Sequence, residues 1–324
     1  MEEAILGLPD QFNFKPEVKN KEKLITEYEK VVVIGMGGSH LCGGILKSIN
    51  PLIPLTVHND YRLPQLSENL KSKTLLVFIS YSGNTEEVLK SLESATKENY
   101  KVAVITTGGK LNLMAEELSL ARIVIPNTGI QPRNAVGFST ISLATLLDDE
   151  RSLQELSSLS SKLKPEMEKE QGISLAKEFL GFIPLLYSSL ENYIVAYNWK
   201  IKFNETTKIP AFYNLFPELN HNEMEGFGVT EKTKELSSPF KVCFLRDSED
   251  HTRVKKRMEI TESIYKEKGI NTLHVTLEGD SKSEKIFKSL LVADWLTLEL
   301  ALNNYGTDAN SVPVVEKFKK LMEN

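Results

Sequence analysis

Five short apolar, β-branched runs in the first half of this 324-residue chain constrain its fold more than any other feature. They are VVVIGM (31–36), LTVH (55–58), TLLVFIS (74–80), KVAVIT (101–106) and RIVIP (122–126). Each is too short for an ordinary helix, and each is continuous rather than alternating, as strands buried on both faces are. Helical stretches lie between several of them, notably TEEVLKSLESATKEN (85–99) and LNLMAEELSL (111–120). This alternation predicts an α/β fold, a mostly parallel sheet flanked by helices. The second half repeats the theme faintly, with FKVCFLRD (240–247), a helix over RVKKRMEITESIYKEKG, then NTLHVTLEG (271–279). Amphipathic helices over 283–306 and 312–322 close the chain. The length suits two domains of about 150 residues. The expected division is 1–150, a polar helical connector over 151–175, and 176–324.

Open parallel sheets bind ligands beyond the carboxyl ends of their strands, so the loops there carry the functional expectations. SYSGNTEE (80–87) follows the third run with hydroxyls, an amide and a glycine. Asn84 or Thr85 would cap the next helix, with Glu86 and Glu87 complementing its dipole. Capping needs one such side chain, whereas Ser80, Ser82, Asn84 and Thr85 together suit a phosphate at a helix N-terminus. The RDSEDHT loop of the second half is acidic and would repel a phosphate.

GMGGSHLCGG (35–44) fails as a dinucleotide fingerprint, because His40 stands where the third glycine belongs, and it has no Walker A lysine. It reads as a strand-to-helix turn in which Gly37, Gly38 and Ser39 face a small ligand, or as a turn serving packing alone. In NTGIQPRNAVGFS (127–139), Pro132 restrains the chain beside Arg133, either a solvated arginine or a cation held for developing negative charge. Glu205 in WKIKFNETTKIP (199–210) and His221 in PELNHNEMEGFG (217–228) complete the candidates. Singly, each reads as a surface carboxylate and a capping or core histidine.

Composition excludes several classes. A net charge of −5 argues against a nucleic-acid-binding surface. No apolar run approaches the roughly 18 residues of a membrane span, and MEEAILGLPDQF lacks the features of a signal peptide. Two distant cysteines, Cys42 and Cys243, suit a reducing cytosol, so a cytoplasmic location is expected. The five histidines form no HxxxH pair, and no metal site is expected.

SYSGNTEE is similar to the phosphosugar-binding signature of sugar isomerase (SIS) domains. GGS (37–39), QPR (131–133), KFNE (202–205) and LNHNE (219–223) extend the likeness over nearly the whole chain. In this order and spacing they resemble the bifunctional phosphoglucose/phosphomannose isomerases. The resemblance implies two SIS-type subdomains, with the phosphate loops in the N-terminal one and the catalytic glutamate and histidine in the C-terminal one. It implies interconversion of sugar 6-phosphates with no metal or other cofactor. Gly37, Gly38, Ser39, Ser80, Ser82 and Thr85 would hold the phosphate. Glu205 would move a proton between C2 and C1, Arg133 would stabilise the cis-enediolate, and His221 would assist ring opening. The histidine would come from the other subunit of a homodimer. A C-terminal lysine joins ring opening, here assigned to Lys320, with Lys317 and Lys319 close by.

Two departures stand out. His40, Leu41 and Cys42 replace small or aliphatic residues, and the tail DANSVPVVEK shows no clear place for the threonine associated with mannose 6-phosphate. Glucose 6-phosphate is therefore the firmer substrate expectation. A non-enzymatic sugar-phosphate regulator would use the same loops with no need for Glu205, His221 and Arg133. The isomerase half of an amidotransferase would follow a glutaminase domain with an N-terminal cysteine, whereas this sequence starts Met-Glu-Glu.

Overall fold

The first-half runs form strands β1 (Lys30–Ile34), β2 (Leu55–His58), β3 (Thr74–Ser80), β4 (Lys101–Thr106) and β5 (Ala121–Val124). They make one wholly parallel sheet in the order β2-β1-β3-β4-β5. The computed structural model describes residues 1–322. The chain divides into a first unit, Leu6–Leu163 with Ser281–Ser283, and a second, comprising Met1–Ile5, Lys164–Asp280 and the segment from Glu284 onward.

In the first unit both sheet faces are covered, which is why the strand sequences read as unbroken apolar runs. The face formed by α1 (Leu41–Ile49) meets the sheet at Gly43. A Cβ there would lie 2.9 Å from Val57 Cγ2 and 3.2 Å from Val33 Cβ, so helix and sheet approach as closely as glycine allows. On the other face Val32, Ile34, Leu76, Phe78 and Val104 pack on Val88 and Leu92 of α2 (Glu86–Lys97) and Leu111 of α3 (Gly109–Glu117). Helices α4 (Val136–Leu146) and α5 (Glu150–Lys162) complete this unit.

The second unit holds β6 (Ile183–Ser189), β7 (Phe212–Phe216), β8 (Phe240–Arg246) and β9 (Asn271–Thr276), all parallel, in the order β7-β6-β8-β9. That order repeats the first four positions of the other sheet, as expected for two subdomains of one fold type. Its helices are α6 (Lys169–Phe179), α7 (Tyr193–Lys202), α8 (Thr252–Glu267), α9 (Lys282–Glu299) and α10 (Pro313–Met322). Leu185, Tyr187, Phe216, Val242 and Phe244 of the sheet pack on Met258 and Tyr265 of α8. The stretch 151–175, expected as a connector, divides between the units at Leu163, with Leu156 and Leu159 of α5 fully buried.

In both sheets the strand order reverses beside the first strand, and in the second that point lies between β6 and β8. There Asp247 and Asp250, from the acidic loop, turn inward and accept hydrogen bonds from Asn192 Nδ2 at 3.3 and 3.0 Å. Lys285 Nζ pairs with Asp247 at 2.7 Å and with Glu249 at 2.8 Å. The chain's own carboxylate and ammonium thus fill this crevice. The Lys285 and Asp247 side chains are only 6% and 1% exposed, so removing Lys285 leaves the Asp247 charge without its ammonium in a poorly solvated place. Lys285→Met is expected to lower unfolding free energy by about 3–5 kcal/mol, with Asp247→Asn in the same chain restoring part of it. Denaturant titration of the three variants checks this, and a single-variant loss below about 1 kcal/mol would contradict it.

Candidate functional site

In the first unit the order reverses between β1 and β3, and the two glycine- and serine-rich loops leave the sheet side by side. Tyr81 donates its backbone N–H to the buried Ser39 hydroxyl at 3.0 Å, tying the loops across 42 positions of sequence. A third loop closes against the first. A Cβ on Gly38 would lie 2.6 Å from Arg133 N and 2.7 Å from Pro132 C, so only glycine lets these backbones meet. Gln131 is extended before Pro132, as its position demands, and Arg133 follows in a 3-10 turn (Pro132–Asn134). Arg133 is 1% exposed, which excludes the solvated reading.

The SYSGNT loop is fixed mostly by its own hydroxyls. Ser80 Oγ accepts from Gly83 N at 3.1 Å and shares a hydrogen bond with Thr85 Oγ1 at 2.8 Å. Ser82 Oγ accepts from Asn84 N at 3.3 Å. Gly83 has φ +67°, and a Cβ there would fall 1.8 Å from Gly108 O, so a side chain is barred by both torsion and space. The capping expectation needs correction. Thr85 occupies the N-cap of α2 but makes no capping bond, because its hydroxyl faces Ser80. Asn84 Oδ1 instead accepts from Lys110 N in the first turn of α3. The first-turn N–H groups of α2 therefore face the loop without a side-chain cap, beside four hydroxyl or amide side chains, which is donor geometry suited to an anion.

His40 ends the first loop, buried, and burial lowers its pKa to about 4. The same burial pushes the Cys42 thiol up to about 12 and raises Cys243, so both free cysteines are inert.

The remaining predicted residues lie in the second unit. Helix α7 runs into a π-helical turn, Phe203–Thr207, which carries half-buried Glu205. The turn is anchored at both ends. Lys202 Nζ pairs with Asp294 at 2.6 Å in a dry setting, and Thr207 Oγ1 donates to Thr297 O at 3.2 Å. Lys208 adopts left-handed torsions, ending the turn, and its ammonium donates to the Glu205 carbonyl. Burial, then Tyr213 and the Glu205 carboxylate, raise the Tyr197 phenol, whose ring packs 5.5 Å from that of Tyr213.

His221 ends a 3-10 turn, Glu218–His221, beyond β7. It is exposed, neither a core residue nor the cap of the short Glu223–Gly226 turn, where Asn222 accepts from Glu223 N. Lys320 lies on α10, also exposed, as are Lys317 and Lys319. The structure thus gathers Gly37, Gly38, Ser39, Ser80, Ser82, Thr85 and Arg133 on adjacent loops of one unit. Glu205, His221 and Lys320 sit on three separate elements of the other. The sequence analysis missed what secures them, namely Asp294 under Lys202 and the partners of Asn220 and Glu223. No short-range pattern announces these contacts, although Asn220 and Glu223 flank the histidine in LNHNE. Among the described residues, no group of three or more His, Cys, Asp or Glu could hold a metal ion, and no helix is long and apolar enough to cross a membrane.

Two parallel sheets with hydroxyl-lined loops at the first switch point define a protein of the SIS-domain class. Residues 24–147 match the SIS domain family, and residues 168–322 match the bacterial phospho-glucose isomerase C-terminal SIS domain. The bifunctional phosphoglucose/phosphomannose isomerase of Caldicellulosiruptor bescii is 35% identical over 346 residues, covering 100% of this chain and 99% of its own. That of Aquifex aeolicus is 33% identical, with coverage of 98% and 96%. The C-terminal domain of glucosamine-fructose-6-phosphate aminotransferase from Francisella tularensis shares the fold, with a TM-score of 0.70 at 16% identity, covering 96% of this chain and 97% of its own. The chain belongs to the bifunctional phosphoglucose/phosphomannose isomerase family.

The histidine beside the glycine loop predicts a pH effect. His40 takes up a proton near its ordinary 6.5 when unfolded but only near about 4 when folded, so the folded state binds fewer protons between those values. Its contribution to stability is full above pH 6.5 and is lost as pH falls toward 4. Denaturant midpoints measured from neutral pH down to 5 should decline in the wild type and decline less in His40→Gln. Parallel curves would contradict the assignment.

Proposed function

We propose that this chain interconverts fructose 6-phosphate with glucose 6-phosphate, and with mannose 6-phosphate as the relatives' names indicate. The observation that carries the reading is the loop assembly of the first unit. Ser39, Ser80, Ser82 and Thr85 converge around an uncapped helix N-terminus, with the backbone of Arg133 locked against Gly38. Hydroxyls and N–H groups hold the phosphate, and that remote binding energy orients the carbons that react. Glu205 takes the proton from C2 of the aldose and returns it to C1, and the guanidinium of Arg133 stabilises the enediolate oxygen between the two transfers. A carboxylate base and a fixed cation are what proton transfer beside a carbonyl requires.

His221 opens the sugar ring, donating a proton to the ring oxygen and accepting one from the anomeric hydroxyl. It belongs to the active site of a neighbouring subunit, and Lys320 joins it. Support for a homodimer comes from exposure. His221 stands clear of its own unit, and α10 presents Val314, Val315, Phe318 and Leu321 to solvent, a stripe that a second copy would cover.

A coupled assay on fructose 6-phosphate, reading the two aldose products separately, tests the proposal. Glu205→Gln is expected to cut turnover by about 10²-fold or more, with substrate affinity retained. Thr85→Ala should weaken binding by about 1–3 kcal/mol, seen as a raised KM. Its stability should fall by no more than about 0.5–1.5 kcal/mol, the worth of the lost Ser80 hydrogen bond, because Thr85 caps nothing. Folded protein that forms neither aldose would overturn the assignment.

A further inference from the structure

We propose that Glu223 is a positioning residue for His221, an inference that rests on the ring-opening role given to that histidine. An exposed imidazole on a surface turn samples many directions unless the backbone on each side is held. Here both sides are. Before His221, Leu219 is fully buried, Asn220 Nδ2 donates to Thr261 Oγ1 at 2.8 Å, and Arg257 Nη1 donates to Asn220 Oδ1 at 3.2 Å. After it, the Glu223 carboxylate accepts from the Tyr187 hydroxyl and from Asn214 Nδ2, each at 2.5 Å.

Both groups are held as donors to the Glu223 carboxylate, which has no proton to give either of them. Tyr187 is fully buried in β6 among Phe216, Phe244 and Tyr265. Burial first, then Tyr265 and Glu223, push its phenol up, so the hydroxyl keeps its proton. Asn214 Oδ1 already accepts from Leu215 N at 2.8 Å, which turns the amide's NH₂ toward Glu223. The two donors reach different oxygens, Oε1 and Oε2, and a carboxylate satisfies both at once. Packing of this turn would be met by an apolar residue at 223. A carboxylate gripped by two fixed donors adds direction, which an imidazole delivering a proton to one ring oxygen needs.

The test separates positioning from bulk structure by substrate. Glu223→Gln sets an NH₂ group against one of the two donors. Tyr187→Phe keeps the aromatic packing and removes one donor, so it carries the test if the first variant does not fold. Turnover of fructose 6-phosphate should fall about 10-fold in kcat with KM little changed, and less steeply in Tyr187→Phe. Turnover of 5-deoxyfructose 6-phosphate, which lacks the hydroxyl that closes the ring, should stay within about twofold of wild type. Equal losses on both substrates, or no loss on either, would overturn the positioning role. Wild type and His221→Ala serve as references. If His221→Ala also fails to distinguish the two substrates, the ring-opening assignment falls, and this inference with it.

Discussion

The backbone N–H of Tyr81 reaches the Ser39 hydroxyl because β1 and β3 are adjacent parallel strands that end at the same edge. Much of the candidate site depends on that contact. Parallel pairing sends both loops out together, and the reversal of strand order parts the helices that follow them. The hydrogen bond then sets the loops in register, and the missing side chain of Gly38 lets the Arg133 turn close against them. A side chain at Gly38 would push Arg133 away, and one at Gly83 would run into Gly108.

The two units show what one topology does with different residues at its switch point. In the first, the crevice is lined by hydroxyls and N–H groups, which suit an anion without carrying charge of their own. In the second, Asp247 supplies the anion internally, neutralised by Lys285 and held by Asn192. The candidate residues of the second unit lie instead on a π-helical turn after α7 and a 3-10 turn after β7. Family relatives share both units over their full lengths.

The first sheet was legible because burial on both faces leaves unbroken β-branched runs, and all seven residues of β3 are buried. β7 was not, because an edge strand with exposed Phe212 and Tyr213 has neither a continuous nor an alternating pattern. Loop composition pointed to the phosphate loops, since small polar residues directly after a buried strand are hard to explain by packing. Which hydroxyl bonds to which group was not legible. Thr85 reads locally as a cap, yet Ser80 competes for its hydroxyl. Arg133 reads as a surface arginine, and its burial follows from Gly38, far away in sequence. Lys202 and Asp294 are 92 positions apart, and no local rule links them.

The central claim is that one site draws its base and its ring-opening group from two copies of the chain. It is tested most directly by mixing two inactive variants, Glu205→Gln and His221→Ala, and letting their subunits exchange. A mixed dimer would contain one site with both unmutated residues and one with neither, so the account predicts that isomerase activity returns as mixed dimers accumulate. Mixed dimers demonstrated by mass, with activity no higher than in the separate variants, would contradict it.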